Sequence, residues 1–319
     1  MLIVAALGGN ALLRRGEPLT HAVQQENVRA ACAALAPIAE RHRLVVTHGN
    51  GPQVGLLALH EDAEGHFPLD VLVAETEGMI GYLIEQELRN RLPLRAIATV
   101  LTQVVVDPAD PAFARPSKPV GPTYGKAEAE RVREQHGWTI ARDGLRYRRV
   151  VPSPEPREIL DLETIRLLLD AGVLVVCGGG GGIPVLKSEA GELSGVEAVI
   201  DKDRLAGLLA ERLGADMLLI LTDVEAVVRD WGTSEASPIR QTTPAELREL
   251  DFASGSMKPK VEAACRFVER TGGTAAIGSL TDADALVRGR RGTRIEPAPG
   301  VVVPLLPTTD ARRVKAIGN

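Results

Sequence analysis

Short, uninterrupted apolar runs recur along the chain, and each of them ends in a turn of glycine or polar residues. Runs of this kind are typical of strands buried on both faces of a parallel sheet. Segments with apolar residues at helical spacing separate them, which predicts helices on both faces of that sheet. The expected fold is therefore α/β, with a mostly parallel central sheet. The four clearest runs are Leu2–Leu7, Leu44–Val46, Val173–Val176 and Met217–Leu221.

Proline changes this pattern after Val106. Ile97–Val106 reads as one β-rich run, but Asp107–Tyr124 is too rich in proline for a helix or a sheet interior. We expect residues 107–156 to form an inserted, protruding lid subdomain that contains a charged helix, Lys126–His136, and a hairpin at Asp143-Gly144. Residues 1–106 and 157–295 then make a single domain, and residues 296–319 form a C-terminal extension.

Composition excludes several classes of protein. The chain has 319 residues, 45% of them hydrophobic, which is enough for a large core, and its formal net charge of -5 gives no general attraction to nucleic acid or to an anionic membrane. The three cysteines are far apart in the sequence, which argues against disulfides or a zinc site and favours a reducing compartment. The chain starts with a predicted strand and no basic leader, so we expect a cytoplasmic protein.

The glycine turns and a few lysines carry the candidate chemistry. The third apolar run opens into five glycines, Gly178–Gly182, and a predicted helix begins at Asp201, Lys202 and Asp203. Lys260 lies in the first turn of another predicted helix. Backbone N–H groups at glycine turns and helix starts favour anions, so this pattern predicts a phosphate site. Taken alone, the glycine run is equally compatible with a flexible loop, and Lys118 in the proline-rich segment with an ordinary loop charge.

Other catalytic patterns do not occur. The chain has no GxxxxGK[ST] motif, no dinucleotide fingerprint after its first strand, and no Ser/His/Asp or Cys/His arrangement for acyl chemistry. His48 lies beside a glycine turn, where a hydrogen-bonded structural role is more common than a role as a base. What is left is phosphoryl transfer by positioning and charge neutralisation.

Many short motifs resemble those of the carbamate kinases, a branch of the amino-acid kinase superfamily. They occur in order and cover nearly the whole chain up to Ile295. The motifs are ALGGNAL from Ala6, VTHGNGPQVG from Val46, GMIGYLI from Gly78, TQVVVDPADPAF from Thr102, KPVGP from Lys118, RVVPSPEP from Arg149, GGGGIPV from Gly179, GVEAVIDKD from Gly195, LTDV from Leu221, GSM from Gly255 and GTRI from Gly292.

This resemblance implies phosphoryl transfer between ATP and carbamate, giving ADP and carbamoyl phosphate, and often run toward ATP at the end of arginine breakdown. It also implies a homodimer and Mg²⁺ held mainly by nucleotide oxygens and water. Carbamate is itself an anionic nucleophile, so no general base is needed. The resemblance assigns the carbamate and phosphoryl cradle to Gly8, Gly9, Asn10, Gly49, Asn50 and Gly51, the catalytic charges to Lys118, Lys202, Asp203 and Lys260, and the nucleotide side to Gly179, Gly180, Asp223, Val224 and Met257.

Some positions depart from the family pattern. Ala5 stands where acetylglutamate kinases typically have a lysine, which favours a carbamate kinase. Glu75 and Glu77 stand where the family often has neutral residues, and Lys258 where it usually has a small or apolar one. Two alternatives stay open: a kinase of the same superfamily that acts on a larger carboxylate such as acetylglutamate, and a nucleotide-binding regulator without turnover.

Overall fold

The computed structural model describes residues 1–13, 16–60, 67–252 and 257–300, without the side chains of residues 10, 11, 59 and 60. The side chain of Asn10 therefore lies outside the described part of the chain. So do Gly255 and Ser256 of the GSM motif and most of the predicted C-terminal extension. Within the described part, no helix is both long enough and apolar enough to span a bilayer.

The secondary structure alternates as the apolar pattern predicts. The strands are β1 Leu2–Leu7, β2 Arg43–His48, β3 Ile97–Val100, β4 Gln103–Val106, β5 Lys118–Tyr124, β6 Ile140–Asp143, β7 Arg146–Val151, β8 Pro156–Ile159, β9 Leu174–Cys177, β10 Ile183–Lys187, β11 Leu193–Gly195, β12 Met217–Thr222, β13 Val228–Arg229, β14 Ser237–Pro238, β15 Gln241–Thr242, β16 Thr274–Ser279 and β17 Thr293–Ile295. The helices are α1 Gly9–Leu12, α2 His21–Ala39, α3 Gly51–His60, α4 Leu69–Arg91, α5 Lys126–His136, α6 Leu162–Asp170, α7 Lys202–Leu213, α8 Pro244–Arg248, α9 Met257–Thr271 and α10 Ala283–Val287.

An eight-stranded sheet forms the centre of the molecule, in the order β15-β17-β16-β12-β1-β2-β9-β3. It is mostly parallel, and β17 runs antiparallel to β16. The β1 strand is buried along its whole length because its residues alternate between two hydrophobic layers. Val4 packs in the layer that includes Leu205 of α7 and Phe267 of α9, and Ile3 packs in the layer that includes Leu35 of α2 and Ile84 of α4. The predicted fold class is confirmed.

The β-rich run predicted over Ile97–Val106 is present, but it is divided between two sheets. Here β3 is the edge of the eight-stranded sheet, whereas β4 belongs to a second sheet with the order β11-β10-β4-β8. Thr102, between the two, is buried, and its hydroxyl donates to the Val100 carbonyl and accepts from the Gly178 amide at 2.8 Å. The first bond is a local side-chain-to-backbone bond of the kind that Thr makes at turns, and the second ties this turn to the glycine run after β9.

Residues 107–156 contain a separate small sheet, β5-β7-β6, with α5 beside it. The segment starts and ends at β4 and β8, which pair antiparallel, so chain entry and exit are adjacent. Pro119 and Pro122 lie in β5, an edge strand that pairs only with β7 in this sheet, which is where proline is tolerated. The β5 strand also contacts α3 of the main sheet region: a Cβ placed on Gly55 would stand 1.9 Å from the Cα of Gly121. We call residues 107–156 the lid.

Candidate active site

Four adjacent parallel strands, β12, β1, β2 and β9, end at one edge of the central sheet. The turns that follow them begin at Asp223, Gly8, Gly49 and Gly178 respectively. In open α/β sheets, ligands bind in the crevice beyond the carboxyl ends of the strands. The predicted site residues of all four turns therefore lie along a single edge.

The turns after β1 and β2 touch each other through their backbones. The Gly8 amide donates to the Leu221 carbonyl at 2.9 Å, and the Gly49 amide donates to the Leu7 carbonyl at 3.2 Å. A Cβ on Gly49 would lie 3.2 Å from the Cα of Gly9 and 3.4 Å from Cδ of Lys202. Larger residues at Gly49 would therefore push apart the two turns and the lysine. A Cβ on Gly9 or on Gly51, by contrast, would meet nothing within 4 Å.

The glycine run after β9 packs underneath the β2 turn. Gly178, Gly180, Gly181 and Gly182 all have positive φ, the region that glycine occupies without strain. A Cβ on Gly179 would stand 2.3 Å from the His48 ring, and one on Gly180 would stand 2.1 Å from the Asn50 amide. We call the turns at 8–9, 49–51 and 178–182 the glycine cradle. Gly179 and Gly180 thus lie beside His48 and Asn50, and two strands, β1 and β2, separate their strand β9 from β12, which leads to Asp223. Their predicted role toward nucleotide stays a prediction.

Helix α4 fixes the cradle through two consecutive polar residues that sequence reasoning did not assign to the site. The Thr76 hydroxyl accepts from Nδ2 of Asn50 at 2.9 Å. The Glu77 carboxyl accepts from the Gly179 amide at 2.8 Å and from the Thr102 amide at 3.3 Å. Burial raises the pKa of Glu77 to about 8, even though these backbone hydrogen bonds lower it. The sequence did contain a signal for the burial of Glu77, because Glu77 lies at helical spacing from Val73, Ile80 and Ile84, in the buried stripe of α4.

His48 is a structural residue of the cradle, as the sequence suggests. Its ring is fully buried, with Nδ1 3.3 Å from the Gly49 carbonyl. Burial lowers the pKa of His48 to about 4, so the ring is neutral at pH 7. No hydrogen-bond partner for Nε2 occurs among the residues that the structure describes.

The predicted catalytic lysines converge on one carboxylate. Asp203 Oδ1 lies 2.5 Å from Lys202 Nζ, and Oδ2 lies 3.0 Å from Lys260 Nζ. All three side chains are at least 89% buried, and the helices that carry them, α7 and α9, pack together where Gly207 meets Ala263. We call Lys202, Asp203 and Lys260 the lysine cluster. Because two ammonium groups share one carboxylate here, the cluster is suited to a phosphate group.

Charge within the lysine cluster is set by burial and pairing. Burial lowers the pKa of Lys202, and the carboxylate of Asp203 partly restores it. Burial alone would raise the pKa of Asp203, but the ammonium groups of Lys202 and Lys260 bring it below its ordinary value. At neutral pH Asp203 is therefore ionised and can orient both lysines, as predicted for it.

Lys118 reaches this region from the lid. It begins β5, and its Nζ contacts Oδ2 of Asp201, the residue that caps α7 immediately before Lys202. The structure thus favours the reading in which Lys118 belongs to the site over the reading of an ordinary loop charge. Asp201 is a third residue of the site, after Thr76 and Glu77, to which the sequence reasoning gave no role, although it placed Asp201 at the start of the helix.

The predicted nucleotide side is more open. Asp223 is exposed directly after β12, and its carboxylate accepts from the Thr222 hydroxyl at 3.1 Å. Val224 is half-buried, and Met257, the first residue of α9, packs against the hydrophobic layer that includes Val261. Met257 lies one turn before Lys260 on α9, and Asp223 and Val224 follow β12, separated from the Gly179–Gly180 turn after β9 by the turns after β1 and β2.

Comparison with known proteins assigns the chain to a family. Residues 1–279 match the model of the amino acid kinase family. A carbamate kinase of Rhizobium meliloti (strain 1021) is 56% identical over 301 residues, covering 92% of this chain and 93% of the relative, and one of Haemophilus influenzae is 54% identical, covering 92% and 96%. The structure of the Giardia lamblia carbamate kinase bound to AMP-PNP superposes with a TM-score of 0.85 at 37% identity, covering 93% of this chain and 98% of that one. The chain therefore belongs to the amino acid kinase family, within its carbamate kinase branch.

Proposed function

We propose that the protein is a carbamate kinase that transfers a phosphoryl group reversibly between ATP and carbamate. The observation that carries this proposal is the lysine cluster, in which Lys202 and Lys260 share Asp203 beside the backbone of Gly49. Phosphoryl transfer asks little covalent chemistry of the protein and depends on position and charge, which is what this arrangement supplies. The identity of 50% or more to several curated carbamate kinases supports the choice of substrate.

In the proposed mechanism, two turns of the glycine cradle, at residues 8–9 and 49–51, bind carbamate through backbone amides and the side chain of Asn50. The nucleotide lies on the Asp223 side. Lys202 and Lys260 neutralise the charge that spreads over the transferring phosphoryl oxygens, while Asp203 keeps the two ammonium groups aimed at them. Lys118 adds a third ammonium from the lid. Carbamate attacks without losing a proton, so the mechanism needs no general base, and His48 is neutral at pH 7 and adds no positive charge.

Mg²⁺ is part of the proposal as a companion of the nucleotide. Both carboxylate oxygens of Asp203 are already paired with lysines. Among the described residues, no three His, Cys, Asp or Glu side chains form a group that could hold a metal ion. Phosphate oxygens and water would therefore be its main ligands, and its chemistry there is to neutralise phosphate charge. We further propose a cytoplasmic homodimer that runs mainly toward ATP formation.

The decisive assay is ATP formation from ADP, Mg²⁺ and a phosphoryl donor by the purified protein. We expect rapid ATP formation with carbamoyl phosphate and none with acetylglutamyl phosphate or aspartyl phosphate. A folded protein that binds ADP but forms no ATP from carbamoyl phosphate would contradict the proposal. Activity with another acyl phosphate alone would instead identify a kinase of a larger carboxylate.

The lysine roles have their own test. Lys202→Ala and Lys260→Ala each remove a charge aimed at the phosphoryl group, and we expect kcat to fall by about 10²–10³-fold. Lys187→Ala is the matched control, because Lys187 pairs only with the exposed Glu158 among the described contacts. Circular dichroism of the three variants should show folded protein. Unchanged kcat in either cluster variant would remove that lysine from the mechanism.

A further inference from the structure

Asp201 divides its two carboxylate oxygens between two different tasks. Oδ1 accepts from the backbone amides of Asp203 at 2.9 Å and Arg204 at 3.2 Å, and so caps the start of α7. Oδ2 contacts Nζ of Lys118, which comes from the lid. The Asp201 side chain is 8% exposed and the Lys118 side chain 34% exposed. A single buried carboxylate thus joins the helix that carries Lys202 to the strand that carries Lys118.

Capping alone does not require an aspartate at this position. Ser, Thr and Asn cap helices about as well as Asp, since all that a cap needs is one side-chain oxygen for the exposed amides. A buried carboxylate is costly unless it is paired. Burial would raise the pKa of Asp201, but the ammonium groups of Lys118 and then Lys202 lower it below its ordinary value, so the group is charged at neutral pH. The negative charge is therefore directed at Lys118 as well as at the helix.

Among the described ion pairs, Lys118 has one partner, Asp201, and that partner lies outside the lid. The β5 strand rests on α3 through the backbone contact of Gly121 with Gly55, which fixes the strand but not a long, flexible lysine side chain at its first residue. Lysine carries a large rotamer entropy when it is not paired. Among the described contacts, the Asp201 carboxylate is the group that limits where the Lys118 ammonium can be.

We infer that Asp201 is a positioning residue for Lys118: it holds the lid ammonium beside Lys202, at the entrance to the glycine cradle, before and during phosphoryl transfer. The inference rests on the proposed function only for its kinetic consequence. Asp201 acts through Lys118, so removing its charge should matter when Lys118 is present and should lose its effect when Lys118 is absent.

A double-mutant cycle tests this coupling. Asp201→Asn keeps an oxygen for the cap and removes the charge, and Lys118→Met removes the ammonium while keeping an apolar stem. We expect kcat for ATP formation to fall about 100-fold in Lys118→Met and about tenfold in Asp201→Asn, with the double variant no worse than Lys118→Met alone. The KM for ADP should change less than kcat, because the nucleotide side is unaffected.

Additive losses in the cycle would overturn the inference, since they would mean that Asp201 acts through the helix cap or the fold. Asp201→Ser provides a second variant that keeps the cap without the charge, and it should behave like Asp201→Asn. The melting temperatures of Asp201→Asn and Asp201→Ser should stay close to that of the wild type. Wild-type kcat in Asp201→Asn would equally overturn the positioning role.

A second readout needs no turnover and so separates this inference from the proposed function. Acetic anhydride labels deprotonated lysines, and mass spectrometry gives the labelling rate of Lys118 relative to Lys126, an exposed lysine on α5 of the same lid. Loss of the Asp201 carboxylate should raise that ratio several-fold in Asp201→Asn, because the Lys118 amine is then no longer held against a buried side chain and meets the reagent more often. An unchanged ratio would show that the pairing does not exist in solution, whatever reaction the protein catalyses.

Discussion

The glycine cradle and the lysine cluster meet at Gly49, where Lys202 Cδ approaches the backbone, yet the two regions are held together by different forces. The lysine cluster depends on charges that are buried and paired: Asp203 stands between Lys202 and Lys260. The glycine cradle depends on close backbone approach and on uncharged donors, such as the Asn50 amide on Thr76 and the Gly179 amide on Glu77.

This difference determines how each region fails. A buried ion cluster is destabilised when one partner is removed, and it can be restored by a new counter-ion. A close-packed backbone turn is destabilised when an atom is added, and a counter-ion does not remove the clash. Added anions should therefore offset the loss of a charge in the cluster, but not a steric clash in the cradle.

Asp203→Asn should give the largest effect. It leaves two buried ammonium groups without their carboxylate, and we expect the free energy of unfolding to fall by about 3 to 5 kcal/mol. Inorganic phosphate, titrated during thermal unfolding, should stabilise this variant more than the wild type. Glu269→Gln is the control, because the Arg248–Glu269 pair is exposed and its loss should cost under about 1 kcal/mol. A variant that phosphate does not stabilise would contradict the charge-based account of the cluster.

Glu77→Gln tests the buried carboxyl of the cradle through pH. With its pKa near 8 in the folded protein and 4.5 ordinarily, Glu77 contributes stability that is complete below pH 4.5 and is lost as the pH rises to about 8. Wild type should therefore lose on the order of a few kcal/mol relative to Glu77→Gln between pH 5 and pH 8.

The measurement is chemical denaturation of both proteins across that pH range. The difference between the two curves isolates Glu77, because the nearby Asp161 and His48 are present in both. Parallel curves would show that Glu77 does not titrate with a raised pKa.

Gly180→Ala adds one methyl group where the cradle has no room. We expect a loss of about 2 to 4 kcal/mol in unfolding free energy, from a positive φ and from crowding of the Asn50 amide, together with a fall in kcat/KM. Gly137→Ala is the matched control: its φ of 66° is close to the 69° of Gly180, but a Cβ there meets nothing within 4 Å. Equal losses in the two variants would mean that backbone strain alone, and not close packing, makes Gly180 necessary.

Thr76→Val should give the smallest effect. It removes the hydroxyl that accepts from Asn50 but keeps the shape of the side chain, so we expect a cost of about 1 kcal/mol. Thr76→Ser retains the hydroxyl and serves as the control. A KM for carbamoyl phosphate that rises in Thr76→Val and not in Thr76→Ser would connect Asn50 to substrate binding; equal KM values in both would disconnect them.

Strands and helices were predictable from sequence to the extent that burial repeats regularly. The β1 strand was predicted at its observed bounds because both of its faces are apolar, and α5 because its charged segment lies between a glycine and a glycine cap. The division of Ile97–Val106 into two strands was not predictable, since the turn between them involves a hydrogen bond from Gly178 to Thr102, which are far apart in the chain.

The site residues, too, could be predicted where a local pattern marks them and not where their role depends on distant partners. Lys202, Asp203 and Lys260 could be predicted because they begin helices, where local sequence already favours anions. The burial of Glu77 could be predicted from the apolar spacing of α4, but the roles of Glu77 and Asp201 could not, because their partners, the Gly179 amide and the Lys118 ammonium, come from other elements. Their roles depend on contacts between elements that no local pattern records.

The close contact of Gly55 with Gly121 makes the position of the lid sensitive to the size of residue 55. Because a Cβ on Gly55 would stand 1.9 Å from the Cα of Gly121, a side chain at Gly55 would push β5 away from α3 and displace Lys118, which lies on the same strand. In a random mutagenesis library screened for loss of ATP formation, inactive variants should therefore include substitutions at Gly55, although this residue has no charge and no part in the chemistry. The position of the Lys118 ammonium thus depends on the distance between the backbones of α3 and β5 as well as on the lysine side chain.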